Sequence, residues 1–488
     1  MAAIYERKIA VVALYSRLLI LMLQVVFNLL VPDHDAGVFN PPADATSSFS
    51  DGIVDVIFSG FRRWDAVYFL HISQFGYTYE NCLAFFPLFP LTTKIVSLVL
   101  NIGLEGTLNH SNILLISAFL LNQFLFVKTS VILYRLSVIV LKNRTLAYWA
   151  AVLFCINPAS IFMSAPYSET VYAFVTFQGM LLCEQKKYVL SLLFIGLGTF
   201  SRSNGILVVG YIIFPKLMKC LFTVSTMQKQ FYMLALAVLN LFWQTFFYTI
   251  LCLAPFLLYQ YYAYLLYCVK TVSLNISENL RHYGYSQGYR VVGGSQSPWC
   301  NNTLPLSYSH IQSSHWGVGF LEYYTWQQIP NFLLAVPISV LSITASVTFF
   351  RYNLVDLNFI RTFEMGKSEK EEGNEKNSLG YIRPAVCPYV VHMMFLTLFG
   401  WLFMHIQVLT RMLTSSCPPI YWFAAHVIAR GTSKHSYQKH KRNIDTPPII
   451  SYILDWDKLD YKPKLIFIYF LSYMIIGTFA FSNFLPWT

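Results

Sequence analysis

Eleven stretches of mostly apolar residues, separated by short polar segments, follow one another along the chain. A helix needs about 20 apolar residues to cross the hydrocarbon core of a bilayer, so the pattern predicts repeated membrane crossings. Three stretches, 168–183, 188–201 and 418–428, are too short to cross as straight helices and are interpreted as tilted, broken or re-entrant. The predicted spans are 9–31, 112–140, 148–165, 168–183, 188–201, 205–223, 231–262, 329–349, 385–410, 418–428 and 463–484.

Composition leads to the same class of protein. Only 12% of the residues are charged and 56% are hydrophobic, whereas soluble globular proteins carry about 25% charged residues. An aromatic share of 17% excludes a disordered chain. The net charge of +11 does not indicate nucleic acid, because the basic residues lie between apolar spans. The sequence therefore predicts an all-α polytopic membrane protein, one membrane-embedded domain over 1–488, whose first apolar stretch is a retained helix rather than a cleaved signal.

The distribution of lysine and arginine orients the chain, because basic residues accumulate in cytosolic loops. With the N-terminus in the cytosol, alternation of the spans places the stretches 351–383 and 429–464 on the cytosolic side. The opposite side receives the segments 32–111 and 263–328, which are rich in aromatic residues and poor in lysine. These two long segments are the ones large enough to hold a site, and their apolar stretches suit interfacial helices.

The glycosylation sequons agree with this orientation. Those at Asn109, Asn275 and Asn301 fall on the non-cytosolic side, and Asn109 lies close to the predicted membrane surface. The sequon at Asn143 falls in a basic cytosolic loop, so we expect it to stay unmodified.

The first candidate for chemistry lies in the segment that follows the first predicted helix. There Asp65 follows Trp64 in a stretch whose aromatic and leucine residues suit a helix lying in the membrane interface. A carboxylate at that depth can act as a base with a raised pKa or as a hydrogen-bond acceptor. The alternative is structural: Asp65 solvates the polar side of the interfacial helix, and Trp64 belongs to the aromatic belt.

Three more segments place ionisable residues at the same side of the membrane. Glu169 borders a Pro-interrupted turn, "NPASIFMSAPYSET", and "SRSNG" places Arg202 and Asn204 between two spans. Arg411 is expected to end the long helix of span 385–410. Ionisable groups at membrane depth are costly, and the planar fork of an arginine suits a phosphate. The alternative for the arginines is that they reach toward lipid headgroups.

The sequence indicates neither a metal site nor a nucleotide site. His392, His405 and His426 lie on apolar faces, where a hydrogen-bonded packing role is expected. No Walker loop, Gly-x-Ser-x-Gly elbow or dinucleotide motif is present, and no histidines and carboxylates have metal-ligand spacing. The cysteines include no Cys-x-x-Cys pair, which gives a disulfide framework little support. They are Cys82, Cys155, Cys183, Cys220, Cys252, Cys268, Cys300, Cys387 and Cys417.

Three classes of function fit these residues: an enzyme acting on a lipid-linked substrate, a multi-pass transporter, and a non-catalytic membrane subunit. Transporters place their polar residues near the bilayer midplane on broken helices of paired repeats. Here the acidic and basic candidates cluster at one face beside long aromatic segments, and no repeat is visible. This arrangement favours an enzyme.

Several blocks of the sequence carry a resemblance to a known family. They include "RWDAVYFLHISQFGYTYENCLAFFPLFP", "NPASIFMSAPYSE", "RSNG", "YYTWQQIPNFLLAVP", "HIQVLTR", "PPIYWFAAH" and "NFLPWT". Over nearly the whole chain the sequence resembles the GPI mannosyltransferase 2 family, the phosphatidylinositol-glycan class V proteins of the GT-C glycosyltransferase class. The resemblance implies a GT-C type multi-helix bundle in the endoplasmic reticulum membrane, with about 11 membrane segments and an active site facing the lumen.

The resemblance also implies a reaction. The second mannose would pass, in α-1,6 linkage, from dolichol-phosphate-mannose to the GPI precursor. Since the donor is β-linked and the product α-linked, the transfer would be a single inverting displacement. Asp65, in "RWDA", matches the acidic residue of the first lumenal loop that serves GT-C enzymes as the catalytic base or orients the acceptor. Another lumenal mannosyltransferase using this donor, or a transporter of lipid-linked sugars, is the alternative.

The roles of the remaining candidates follow from their residue types and predicted side. Arg202 and Arg411 would stabilise the leaving phosphate, Glu169 would order sugar hydroxyls, and Trp64 would stack on a mannose. Asn204 is a further substrate-binding candidate. No metal or cofactor is expected, since the leaving group is not a nucleotide diphosphate. The expected partners are the donor, the GPI acceptor and membrane lipids, without nucleic acid, and the sequence identifies no protein partner.

Overall fold

Helices form nearly all the regular structure in the part of the chain that the structure describes. A computed structural model describes residues 2–42, 48–226, 231–269, 276–353, 380–430 and 456–487. The predicted cytosolic stretches 351–383 and 429–464, and the sequon at Asn275, lie mostly or entirely outside these ranges. The α-helices are α1 (Ala2–Leu30), α2 (Phe49–Phe58), α3 (Asp65–Phe75), α4 (Leu88–Leu104), α5 (His110–Leu141), α6 (Arg144–Cys155), α7 (Glu169–Glu184), α8 (Tyr188–Ser201), α9 (Gly210–Thr226), α10 (Phe231–Cys268), α11 (Glu278–Ser286), α12 (Ser307–Ser314), α13 (Ile329–Asn353), α14 (Cys387–Phe403), α15 (Val408–Ser416), α16 (Pro418–Arg430) and α17 (Tyr461–Ser482).

Many of these helices suit a membrane by length and composition. Three helices are apolar but shorter than the seven stretches named below: Leu88–Leu104, Arg144–Cys155 and Tyr188–Ser201. The prediction of an all-α, multi-pass membrane protein is confirmed, while the count of about 11 segments stays a prediction. Seven stretches in the described ranges are long and apolar enough to cross: Ala3–Leu30, His110–Leu141, Ser203–Val224, Ala235–Cys268, Trp326–Asn353, Pro384–Phe403 and Tyr461–Ser482.

Helix α10 shows how apolar the outer surface is. Only 6% of its most apolar stretch is buried inside the protein, and Leu239, Phe242, Trp243 and Phe246 are all exposed. A soluble monomer rarely exposes a contiguous apolar face of this size. The outer face of α10 therefore suits a hydrocarbon environment.

Small residues allow the central helices to approach closely. Helices α6 and α16 contact each other, and Ala147, Ala150 and Ala151 of α6, with Ala424 and Ala425 of α16, are completely buried. Helices in lipid associate through close packing rather than the hydrophobic effect, so small side chains at the contact strengthen it.

The predicted span 148–165 is wrong as a continuous helix. Helix α6 ends at Cys155, and a short 3₁₀ turn at Ser160–Met163 precedes α7. Pro158 and Pro166 explain the interruption, because proline lacks the backbone N–H and disfavours helical conformation in the residue before it. The break lets α7 begin at a new position, which is occupied by Glu169.

The predicted span 385–410 is also interrupted. Helix α14 ends at Phe403, and the carbonyl of Leu402 accepts a hydrogen bond from the backbone N–H of Leu321 at 2.8 Å. This donor from outside the helix satisfies one of the carbonyls that a helix end leaves free. Arg411 therefore lies in the first turn of the short helix α15 and not at the end of a long helix, which corrects the sequence expectation.

The two predicted non-cytosolic segments are joined to each other. The Glu80 carboxylate accepts a hydrogen bond from Trp299 Nε1 at 2.7 Å and lies 3.3 Å from Arg290 Nε. Burial raises the pKa of Glu80, but interactions with His315, Trp299 and Arg290 outweigh burial and leave that pKa below its ordinary value. Cys268 and Cys300 form a disulfide, which the sequence did not reveal, since pairing depends on the path of the chain rather than on spacing.

At the opposite end of the bundle, other helix termini meet. Arg135 donates to both carboxylate oxygens of Glu6, at 2.9 and 2.7 Å. The carbonyl of Leu141, at the end of α5, accepts from the backbone N–H of Gly380 at 3.0 Å. The start of α1, the end of α5 and the start of the stretch leading to α14 therefore share one end of the molecule.

Candidate active site

A cavity of about 660 Å³ lies between α3, α7, α14 and α15, beside the predicted non-cytosolic segments. Part of its wall is apolar and includes Leu207, Phe395, Phe399 and Met404. The cavity brings together every site residue predicted from the sequence: Trp64, Asp65, Glu169, Arg202, Asn204 and Arg411.

Asp65 is the first residue of α3 and forms an ion pair across the cavity. Its Oδ2 accepts from Arg411 Nη1 at 3.0 Å, and the Asp65 side chain is 24% exposed. The backbone N–H of Asp65 donates to the Tyr167 hydroxyl at 3.1 Å. Trp64, just before, has a φ of 54°, a costly conformation for a bulky residue that persists only when its surroundings hold it. The carboxylate position is thus set by contacts from two other segments.

Glu169 is the first residue of α7 and is almost completely buried. Its Oε1 accepts from Arg202 Nη1 at 2.5 Å and lies 3.7 Å from Arg411 Nη1. Its Oε2 is buried and has no hydrogen-bond partner among the described residues. Arg411 therefore lies between two carboxylates, and Glu169 lies between two arginines.

Three helices direct their N-termini at this charged cluster. Helix α3 begins at Asp65, α7 begins at Glu169, and α15 begins three residues before Arg411. The unpaired N–H groups and the dipole of a helix give its N-terminus a partial positive charge. The site therefore favours anionic groups, both its own carboxylates and an incoming phosphate.

A close backbone contact builds the turn that carries Arg202 and Asn204. An added Cβ at Gly205 would lie 2.3 Å from the carbonyl carbon of Gly198 in α8, so only glycine fits at this position. The turn leaves the Asn204 Nδ2 amide buried without a hydrogen-bond partner among the described residues. It also places the Arg202 guanidinium 5.8 Å from the centre of the Tyr172 ring.

Sequence reasoning missed several residues of the cavity. Tyr167 belongs to the Pro-interrupted turn already singled out, yet its contact with Asp65 could not be read from the sequence. The 263–328 segment contributes Tyr308 and Trp316 to the lining, and the Tyr308 hydroxyl donates to Ser203 Oγ at 2.7 Å. These side chains carry no charge, so no electrostatic signal separates them from the many other aromatic residues.

The three histidines on apolar faces lie inside the bundle or against aromatic rings. Nδ1 of His392 is 2.9 Å from the Tyr211 hydroxyl, and the ring of His405 stacks on Tyr323 with centroids 4.4 Å apart. His426 lies 6.0 Å from the Tyr381 ring. Across the part of the chain that the structure describes, no three His, Cys, Asp or Glu side chains are grouped to hold a metal ion.

Comparison with known proteins adds the family to this geometry. The GPI alpha-1,6-mannosyltransferase 2 of Homo sapiens is 37% identical over 492 residues, which cover 98% of this chain and 97% of that protein. The Cricetulus griseus protein of the same name is 36% identical over 507 residues, or 99% of each chain. The GPI mannosyltransferase 2 of Drosophila melanogaster is 33% identical over 497 residues, again 99% of each.

Solved structures are only loosely similar. The Archaeoglobus fulgidus oligosaccharyltransferase in its apo form gives a TM-score of 0.39 at 12% identity, over 96% of this chain and 56% of that one. The family model described as mannosyltransferase (PIG-V) matches residues 6–488, which is nearly all of the sequence. The chain is therefore an enzyme that belongs to the PIG-V mannosyltransferase family.

Proposed function

We propose that this chain is an α-1,6-mannosyltransferase that adds the second mannose of the GPI anchor precursor, with dolichol-phosphate-mannose as donor. The observation that carries the proposal is the cluster of two carboxylates and two arginines in a cavity with an apolar wall. The relatives named as GPI α-1,6-mannosyltransferases support the acceptor and the linkage. The cluster supplies a base and an anion site, which are the two groups that such a transfer requires.

In this proposal Asp65 is the base. The acceptor 6-hydroxyl gives its proton to the Asp65 carboxylate while its oxygen forms a bond to C1 of the donor mannose. The bond between C1 and the phosphate oxygen breaks, and its electron pair leaves with dolichyl phosphate. One displacement of this kind inverts the β-linked donor to an α-linked product, and no covalent enzyme intermediate forms.

Arg411 and Arg202 are the groups that we assign to the phosphate. Arg411 directs one nitrogen, Nη1, at both carboxylates, and its Nε has no hydrogen-bond partner among the described residues. The guanidinium therefore keeps a donor for a phosphate oxygen. When Asp65 takes the proton it loses its negative charge, just as the leaving phosphate gains one. Arg411 can then stabilise the phosphate without competition from Asp65.

Glu169, Asn204 and Trp64 complete the proposed substrate contacts. The free Oε2 of Glu169 can accept from a sugar hydroxyl, and the free amide of Asn204 can donate to one. Trp64 presents an indole beside Asp65, where an aromatic face suits the apolar face of a mannose. The apolar wall around Phe395 and Phe399 suits the isoprenoid chain of the donor, because both side chains line the cavity and leave apolar surface exposed.

We propose that this reaction takes place at the lumenal face of the endoplasmic reticulum membrane. The disulfide between Cys268 and Cys300 supports a lumenal position for the 263–328 segment, since such bonds persist in oxidising compartments. The positions of lysine and arginine support the same side independently. Both arguments concern the segments that line the cavity.

The decisive cellular experiment is to remove the protein and identify the GPI intermediate that accumulates. Accumulation of the one-mannose species, reversed by the wild-type protein, is the expected result. Accumulation of the two-mannose species would assign a later mannosyltransferase step instead. Loss of every mannosylated intermediate, with normal transfer in detergent extracts, would favour a transporter of lipid-linked sugars.

A further inference from the structure

The segment that follows α17 turns back onto the helix it has just left. Phe484 has a φ of 56°, and the backbone N–H of Leu485 donates to the Ala480 carbonyl at 2.9 Å. The indole of Trp487 then packs on Gly477, where an added Cβ would lie 2.6 Å from three indole atoms. Any side chain larger than that of glycine would overlap the ring here, so Gly477 provides the space that Trp487 occupies.

Residues of the predicted non-cytosolic segment 32–111 hold the chain that follows α17 in place. Arg63 Nε donates to the Ser482 carbonyl at 3.0 Å, and the Arg63 guanidinium lies 4.4 Å from the centre of the Phe484 ring. The backbone N–H of His34 donates to the Asn483 carbonyl at 3.0 Å. Arg63 is two residues before Asp65, so the loop that carries the proposed base also contacts the residues that lead to Trp487.

Trp487 lines the same cavity as the charged cluster. Its ring centre is 5.3 Å from that of Tyr473, and its Nε1–H has no hydrogen-bond partner among the described residues. An indole that lines a cavity can cover the apolar face of a sugar ring. The Nε1 edge of Trp487 takes no part in this contact, because it lies against Gly477.

We propose that Trp487 is a substrate-binding residue that contacts a hexopyranose ring during transfer, an inference that rests on the function proposed above. The ring belongs either to the mannose of the donor or to the glycan of the acceptor, because both present the same chemistry to an indole. If Trp487 has only a structural role, it packs residues 483–487 against α17 and contacts no substrate.

The test compares three variants at equal protein abundance in transfer assays with purified protein. Trp487→Leu keeps apolar bulk but removes the aromatic face, whereas Trp487→Phe keeps an aromatic face. We expect Trp487→Leu to raise the KM of one substrate by about 3- to 10-fold with kcat nearly unchanged, and Trp487→Phe to stay closer to wild type. Trp326→Leu, at a residue that is 88% exposed and outside the cavity, is the matched control and should change neither constant.

The substrate whose KM rises identifies the source of the sugar ring. Equal KM values for wild type and Trp487→Leu would refute the inference while leaving the proposed function intact. Absence of any mannosyl transfer by the wild-type protein would refute the proposed function itself. If Trp487→Leu does not accumulate, Gly477→Ala displaces the indole without removing it and should raise the same KM. An unchanged KM in that variant would equally overturn the proposal.

Discussion

Replacing Asp65 by asparagine separates a catalytic role from a structural one. Asparagine keeps the size of the side chain and one oxygen that can still accept from Arg411, whose distance to Oδ2 is 3.0 Å. The pair is mostly buried, but the asparagine oxygen still faces Arg411, and Arg411 keeps Glu169 at 3.7 Å, so the cost in folding free energy should be about 1–3 kcal/mol. Loss of a general base lowers the rate by ~10²–10⁴-fold, a barrier increase of about 3–5 kcal/mol.

The assay is mannosyl transfer from dolichol-phosphate-mannose in microsomes that contain equal amounts of each variant. Asp33→Asn is the matched control, because Asp33 also pairs with an arginine, Arg63 at 2.9 Å, but does not line the cavity. We expect the Asp65 variant to insert normally and lose transfer, and the Asp33 variant to keep it. Near-normal turnover by Asp65→Asn would remove Asp65 from the mechanism and leave it with a structural role at the start of α3.

Two further predictions concern the phosphate site and the orientation. Arg202→Lys and Arg411→Lys keep the charge but lose the planar fork of the guanidinium, so mannosyl transfer should fall at normal protein abundance. The control is Arg135→Lys, in the ion pair at the opposite end of the bundle, which should leave transfer unchanged. Full activity of both site variants would show that these arginines do not hold the donor. Asn301, which is exposed, should carry a glycan that endoglycosidase removes, and Asn143 should carry none. A glycan at Asn143 would contradict the predicted orientation of the chain in the membrane.

The sequence predicted the members of the cavity better than it predicted the helices that carry them. Asp65, Glu169, Arg202 and Arg411 stand out because ionisable residues at membrane depth are costly and need a reason to be there. All four line one cavity. Their pairing was not predictable, because the partner of each charge depends on how α3, α7 and α15 approach one another.

The boundaries of the helices failed where tertiary contacts decide them. The apolar pattern continues from α14 into α15 and gives no sign of a break. Helix α14 nevertheless ends where the backbone N–H of Leu321 donates a hydrogen bond to the Leu402 carbonyl. The interruption before α7 was better marked, since Pro158 and Pro166 are visible in the sequence. Trp487 belongs to the block "NFLPWT", which carries part of the family resemblance, but its position in the cavity was not predictable, because that position depends on the absence of a side chain at Gly477.

The reaction that we propose for this cavity is an inverting transfer of mannose from dolichyl phosphate to a GPI acceptor. The most direct measurement is to incubate the purified protein in lipid nanodiscs with dolichol-phosphate-mannose and the one-mannose GPI acceptor, then determine the linkage of the product by NMR. We expect an α-1,6-linked second mannose, with one dolichyl phosphate released for each mannose transferred. A β-linked product, or release of dolichyl phosphate with free mannose and no elongated acceptor, would contradict it.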